Sequence, residues 1–177
     1  MTGPGHLLRP YVPEMVAGWL HDDLQTRVRQ VDGSLLLADL SGFTALSERL
    51  ARLGREGAEQ LTEVIDEIFS RLIATAHADG GQLLSFGGDA LLLLFTGAGH
   101  EARAAHAGHA LRTEVRGAGQ HTTGVGAVRL RVSMGLHSGT FSVALVGDPY
   151  RMLMLVGEEA SVTVRAEHQA RAGDIVV

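Results

Sequence analysis

Two apolar runs in this chain end against an acidic residue beside a glycine turn, and this arrangement restricts the fold more than any other feature. Ser34-Leu35-Leu36-Leu37-Ala38 leads into Asp39, which is followed by Leu40-Ser41-Gly42-Phe43-Thr44. Gly87-Gly88 leads into Asp89, which opens Ala90-Leu91-Leu92-Leu93-Leu94-Phe95. Runs of this length and composition read as buried strands. A carboxylate set against such a strand is costly to desolvate unless it is paired or holds a cation. Either aspartate alone also fits a plainer role, Asp39 as a helix cap and Asp89 as a turn residue. Two such carboxylates together point to a divalent-metal site.

The rest of the chain supplies a scaffold. Tyr11, Val12, Met15, Val16, Trp19 and Leu20 recur at helical spacing over residues 10 to 24, after Pro10 and Pro13. A polar stretch from His21 to Asp32 links them to a first strand at about 33 to 39. A short helix is expected from about Thr44 to Leu53. A long one follows from about Arg55 to Ala78, with Leu61, Val64, Ile65, Ile68, Phe69, Leu72 and Ile73 on one face. Gln82 to Phe86 and Ala90 to Phe95 form a hairpin with Asp89 at its tip. A helix at about His100 to Val115 precedes a glycine-rich loop, Gly117 to Ala127.

Arg129 to His137 and Thr140 to Val146 read as a second hairpin around Ser138-Gly139, with His137 capping it. Arg151 to Val156 is a strand, Glu158 to Gln169 a helix, and Asp174-Ile175-Val176-Val177 ends inside a strand, as if cut. The Leu91–Leu94 and Met152–Leu155 runs read as buried strands. The expected fold is α+β, a ferredoxin-like, palm-type antiparallel-rich sheet with helices packed on it. Residues 1–32 form the helix and linker, and 33–177 the main domain.

Bulk properties narrow the function. A chain of 177 residues suits one domain, and a net charge of -5 leaves no basic face for nucleic acid. Cysteine is absent, so thiolate metal sites and disulfides are excluded. No apolar run is long enough to cross a bilayer, and the N-terminus lacks a signal-peptide pattern, so a cytoplasmic domain is expected. His106 and His109 lie at metal-ligand spacing, but no third ligand accompanies them.

The stretch Asp39 to Thr44 has the logic of a phosphate site. Gly42 admits a close approach of the backbone, and the amides that open the next helix point at an anion. Mg²⁺ favours one or two carboxylates plus phosphate oxygens, which Asp39 and Asp89 supply.

Asp39-Leu40-Ser41-Gly42-Phe43-Thr44 and Gly80-Gly81 leading to Gly88-Asp89-Ala90 resemble the class III nucleotidyl cyclase domain. So do Gly135-Leu136-His137-Ser138-Gly139 and Gly157 to Arg165 followed by Glu167. Tyr11-Val12-Pro13-Glu14 and Ser85 to Leu91 resemble its soluble, bicarbonate-responsive branch, and there the first domain of a tandem. The resemblance covers about residues 10 to 177. It implies cyclisation of ATP, with GTP as the alternative substrate, to the 3′,5′-cyclic nucleotide and pyrophosphate. Two Mg²⁺ or Mn²⁺ ions serve each site, which lies between two such domains, in tandem or as a homodimer.

Position by position, the resemblance implies that the metal half is complete: Asp39, Asp89, the Leu40 main chain as a further metal ligand, and Leu40, Ser41, Gly42, Phe43 and Thr44 around the phosphates. The complementary half is degraded. The base-reading Lys falls at Ser85, the base-reading Asp at Met152 and the ribose-orienting Asn at Ser161. Only the catalytic Arg persists, at Arg165. Loss of the Lys puts bicarbonate control in doubt. A catalytically silent regulatory module is the competing expectation. A diguanylate cyclase fits less well, because Ala90 stands where that family has Glu.

Overall fold

The structure is a computed structural model that describes residues 12–22, 25–118, 120–123 and 126–177. Helix α1 (Glu14–Asp22) begins after Pro13, whose carbonyl accepts from the Val16 and Ala17 amides at 2.9 and 3.0 Å. Pro10 and Tyr11 of the expected amphipathic segment lie outside the described residues. Trp19 is the anchor of α1: it is buried, donates from Nε1 to the Thr26 carbonyl at 3.1 Å, and carries Arg29 over its ring.

Strand β1 (Val28–Ser41) runs into α2 (Phe43–Ala51) and then α3 (Arg55–Ala78). β2 (Gly81–Gly87) and β3 (Ala90–Thr96) form the expected hairpin. Helix α4 (His100–Ala118) follows, then β4 (Gln120–Thr123) and β5 (Gly126–Arg129), a two-stranded ribbon. β6 (Arg131–Val146), β7 (Met152–Val156), α5 (Glu158–Gln169) and β8 (Ile175–Val176) complete the chain. The main sheet has the order β2-β3-β1-β6-β7, and β8 joins β6 in parallel.

The sheet buries both faces because its central strands alternate between two apolar layers. Leu36, Ala38 and Leu40 of β1 pack with Leu46 and Leu50 of α2, with Ile68 and Leu72 of α3 and with Ala107 and Leu111 of α4. Leu35 of β1 faces the other way, into a layer with Val16, Trp19, Leu94, Phe141 and Val143. The apolar stripe of α3 is as expected, with Val64, Ile68, Phe69 and Leu72 buried and Leu61, Ile65 and Ile73 partly so.

Four expectations need correction. The first strand begins at Val28 rather than 33, because its first five residues pair with β6 at Phe141 to Ala144 and Thr140. The glycine-rich stretch after α4 contains the β4–β5 ribbon among its described residues rather than only loop.

There is no second hairpin at Ser138-Gly139, and His137 caps nothing. β6 runs straight through, with Ser138 opposite Ser34 and Gly139 opposite Gly33. Gly135 and Gly139 of β6 make room for α5 rather than a turn. A Cβ on Gly139 would meet the Glu159 carboxylate at 2.8 Å. A Cβ on Gly135 would come within 2.9 Å of the Glu167 Cα, and closer still to the Glu167 nitrogen and the Thr163 carbonyl oxygen.

The last correction concerns the Met152–Leu155 run. β7 is an edge strand that exposes Met152, Met154 and Val156 on one face, so only its alternate residues face inward.

Candidate active site

β1 delivers Asp39 to the sheet edge because the strand pairs with both neighbours up to that residue. Asp39 stands opposite Ala90 of β3 and opposite Ser133 of β6. The β3 pairing brings Asp89, in the β2–β3 turn, alongside it. The Leu40 amide donates to the Asp89 carbonyl at 3.3 Å. Gly88 takes φ 71° in that turn, a conformation that side chains with a Cβ resist. β1 ends at Ser41, Gly42 adopts φ 94°, and α2 starts at Phe43, so the first amides of α2 lie directly beyond Asp39.

The electrostatics of this corner are those of an acidic cluster. Burial first, then the charges of Asp89 and Glu167, hold the Asp39 carboxyl above the usual carboxylate range. Glu167 is the residue to which the sequence motif gave no role. Its side chain is only 12% exposed, and Ser133 donates to its Oε1 at 3.0 Å. The close packing of α5 on Gly135 sets it there. The glycine at 135 was the available signal, since glycine inside a strand marks a close approach of another backbone.

Among the described residues no group of three acidic or histidine side chains is arranged to hold a metal by itself. Two carboxylates fit an ion that takes its remaining ligands from the main chain, from water and from a phosphate.

The other predicted positions lie on different elements. Ser85 is exposed on the outer strand β2, where the pairing with β3 shifts register between Leu83 and Ser85. Met152 opens β7 and is 70% exposed. Ser161 is exposed on α5 and donates to the Gly157 carbonyl at 3.1 Å. Arg165, one turn further along, donates to Glu158 Oε1 at 2.7 Å, so its guanidinium is engaged within its own helix. Both members of that pair are largely exposed, and such a bond is weak enough to exchange.

The histidines have local partners. His106 bonds Asp79 at 2.8 Å, His109 accepts from Arg112 at 3.0 Å, and His137 bonds Glu159.

Comparison with known proteins places this arrangement. Residues 27–177 match the family of the adenylate and guanylate cyclase catalytic domain, and the chain belongs to that family. It is a class III nucleotidyl cyclase domain. Among curated proteins it is similar to adenylate cyclase type 10 of Oryctolagus cuniculus, 29% identical over 94% of this chain and 11% of the relative. The Homo sapiens protein of the same name is 31% identical over 82% of this chain and 9% of the relative. The chain thus spans about a tenth of the length of the relatives it matches. Among solved structures, the guanylyl cyclase Cya2 superposes with a TM-score of 0.72 at 26% identity, covering 85% of this chain and 76% of that one. The adenylyl cyclase CyaB from P. aeruginosa has the same fold, with a TM-score of 0.72 at 24% identity, covering 85% and 78%. Among the described residues no helix is long and apolar enough to cross a membrane.

Proposed function

We propose that this domain is the metal-donating half of a paired adenylyl cyclase site, converting ATP to 3′,5′-cyclic AMP and pyrophosphate with a complementary domain. The observation that carries this reading is the Asp39–Asp89 corner. Two strand pairings converge there, and burial, reinforced by the charges of Asp89 and Glu167, raises the Asp39 pKa. Strand ends that tolerate such repulsion are suited to a cation.

In this reading Asp39, Asp89 and the Leu40 main chain hold two Mg²⁺ or Mn²⁺ ions. When bound, such ions supply the Lewis acidity that lowers the pKa of the ribose 3′-hydroxyl and offset charge on the departing pyrophosphate. The residues Leu40 to Thr44 and the opening amides of α2 receive the phosphates. The 3′-oxygen forms its bond to the α-phosphorus as the bond to the bridging oxygen breaks, and the hydroxyl proton passes to solvent.

A partner domain supplies the base and ribose contacts, because on this chain Ser85 lacks the charge of Lys, Met152 the acceptor of Asp and Ser161 the carboxamide of Asn. ATP is favoured over GTP by the similarity to adenylate cyclase type 10. The exposed apolar stripe of Met152, Met154 and Val156 suits a surface covered by that partner. The partner is a second cyclase domain of the same polypeptide or another copy, and the location that suits this role is the cytoplasm.

The test is to measure cyclic AMP with Mn²⁺ and ATP from this domain alone and mixed with a domain bearing the complementary Lys, Asp or Thr, Asn and Arg. Little product alone, restored product in the mixture and its loss in Asp39→Ala and Asp89→Ala support the reading. Undiminished turnover in those variants sinks the metal assignment, and vigorous activity from this domain alone sinks the half-site.

The competing reading is a silent module that binds nucleotide or partner without turnover. It draws on the Arg165–Glu158 pair, which occupies the one retained catalytic arginine. An inactive mixture that still associates would favour it.

A further inference from the structure

β2 is the outermost strand at one side of the main sheet, with β3 as its strand neighbour. Its other edge is free, and among the described residues the main chain of Gln82 to Phe86 bonds to nothing beyond β3. A free edge is a template for another strand, and proteins commonly blunt it with charge or proline. Gln82-Leu83-Leu84-Ser85-Phe86 carries neither.

This edge is the floor of a slot of about 1110 Å³, lined by every residue from Gln82 to Phe86. Successive side chains on a strand point to opposite faces, so a cavity that touches the whole run faces the strand's edge rather than one side of the sheet. Helix α1 walls one side with Glu14, Ala17, Gly18 and His21, which share one helix face, and α3 walls the other with Ile73 and His77, one turn apart. The two helices lie on opposite faces of the sheet, α1 in the Trp19 layer and α3 in the Leu72 layer. At about 3.3 Å per residue the floor runs for about 16 Å, the length of a short strand.

Gly18 keeps the α1 wall low. Glycine weakens a helix interior, yet a Cβ at Gly18 would meet no atom within 4 Å, so packing does not require it. Its missing side chain leaves room for another backbone to pass close to α1. Gln82 holds an orphan acceptor, because its Oε1 is buried and among the described residues has no hydrogen-bond partner. Buried acceptors are almost always satisfied, and an N–H donor is what this one lacks. Glu14 is exposed in the first turn of α1, forms no ion pair among the described residues, and shares the slot with no lysine or arginine.

We propose that the free edge of β2, between α1 and α3, is a docking site for an extended segment of a partner protein. The segment adds as a further strand, sends apolar side chains alternately toward α1 and α3, and sets a lysine or arginine against Glu14. Main-chain donors and acceptors in the floor select another main chain, since an alkyl or aromatic ligand would cover them without returning their hydrogen bonds. This site is independent of the metal-and-phosphate reading of the Asp39–Asp89 corner.

The test uses the whole chain and a fluorescein-labelled peptide, Lys-Val-Ala-Val-Ala-Val-Thr, followed by fluorescence anisotropy. Two further versions are N-methylated at one or the other alternate set of amides. One of them should bind about tenfold more weakly than the parent peptide or worse, and the other should bind as the parent does, because only one edge of the added strand meets β2. Gly18→Phe, which fills the slot, should weaken binding by at least as much while melting no lower than the unaltered protein. Gly117→Phe, at another glycine with open space around its Cβ, controls for added apolar surface and should stay within about twofold. Glu14→Gln should weaken binding about threefold. Hydrogen exchange with the peptide bound should slow across Leu83–Phe86.

Absence of saturable binding to the unaltered chain overturns the proposal. Equal binding of the two N-methylated peptides, full binding by Gly18→Phe, or protection in β7, at the opposite edge of the sheet, instead of β2 also overturns it. Unchanged binding by Glu14→Gln overturns the assignment of the basic residue.

Discussion

The Leu40 amide donates to the Asp89 carbonyl across 3.3 Å, so the backbone that follows one aspartate grips the backbone of the other. The two carboxylates are thereby held as neighbours by main-chain pairing rather than by any side-chain bond. Replacing either side chain should leave the corner's geometry in place, so each aspartate can be varied without collapse of the site.

Asp39→Asn is expected to stabilise the metal-free protein at neutral pH. The folded-state pKa of Asp39 is raised by burial, Asp89 and Glu167, whereas the unfolded chain keeps the ordinary value. Between those two values the folded state binds a proton that the unfolded state does not. Stability therefore falls as pH rises through that window and stays lower above it. Melting temperatures in EDTA across acid to neutral pH should show the unaltered protein losing ground to Asp39→Asn. A constant difference between the two across this range contradicts the assignment, and added Mg²⁺ should narrow the gap.

Gly135→Ala should be among the most damaging single changes. The new Cβ would press on the backbone of α5 at Thr163 and Glu167, which cannot give way as a flexible side chain would. Overpacking of this kind costs about 3 kcal/mol, or near 10 °C in melting temperature for a chain of this size. Glu167 would be displaced from Ser133 as well. A thermal melt within about 2 °C of the unaltered protein would show that α5 is not seated as described.

Ser34→Ala should lower stability without touching the candidate active site. Ser34 is fully buried and bridges His100 Nδ1 at 2.8 Å and Ser138 Oγ at 2.6 Å. Its loss leaves the largely buried His100 nitrogen without this partner, a penalty of about 1–3 kcal/mol. Denaturant midpoints should fall, while activity of the reconstituted pair at low temperature should hold. A drop in activity with unchanged stability would reverse the interpretation.

Installing Ser85→Lys, Met152→Asp and Ser161→Asn together should convert a silent homodimer into an active one. All three positions are exposed, so the substitutions bury no charge within the domain. Cyclic AMP formation by the triple variant with Mn²⁺ is the measurement. If the variant folds and pairs but makes no more product than the parent, the deficit lies elsewhere, with the Glu158-bound Arg165 the next suspect.

The helices were readable from the sequence because their signals are local. The apolar stripe of α3 and the Asp79-Gly80-Gly81 stop specify it without help from the rest of the chain, and the β2–β3 hairpin is fixed by its glycine turn and flanking apolar runs. Local signals failed at Ser138-Gly139, where a dipeptide typical of turns sits in mid-strand. The use of that glycine depends on a helix that arrives twenty residues later. They failed again at β7, whose apolar run reads as buried although the strand lies at the sheet edge.

The sequence by itself determined that Asp39 and Asp89 flank apolar strands beside glycine turns, that a glycine and a helix start follow Asp39, and that serine, methionine and serine stand at positions 85, 152 and 161. Those are matters of residue identity and short-range spacing. Only the tertiary structure decided that Glu167 joins the acidic corner and that β6 runs unbroken past Ser138 and Gly139. Each of these depends on strand register or on the seating of α5 against Gly135, and contacts between residues tens to more than a hundred positions apart leave no periodic trace in the chain.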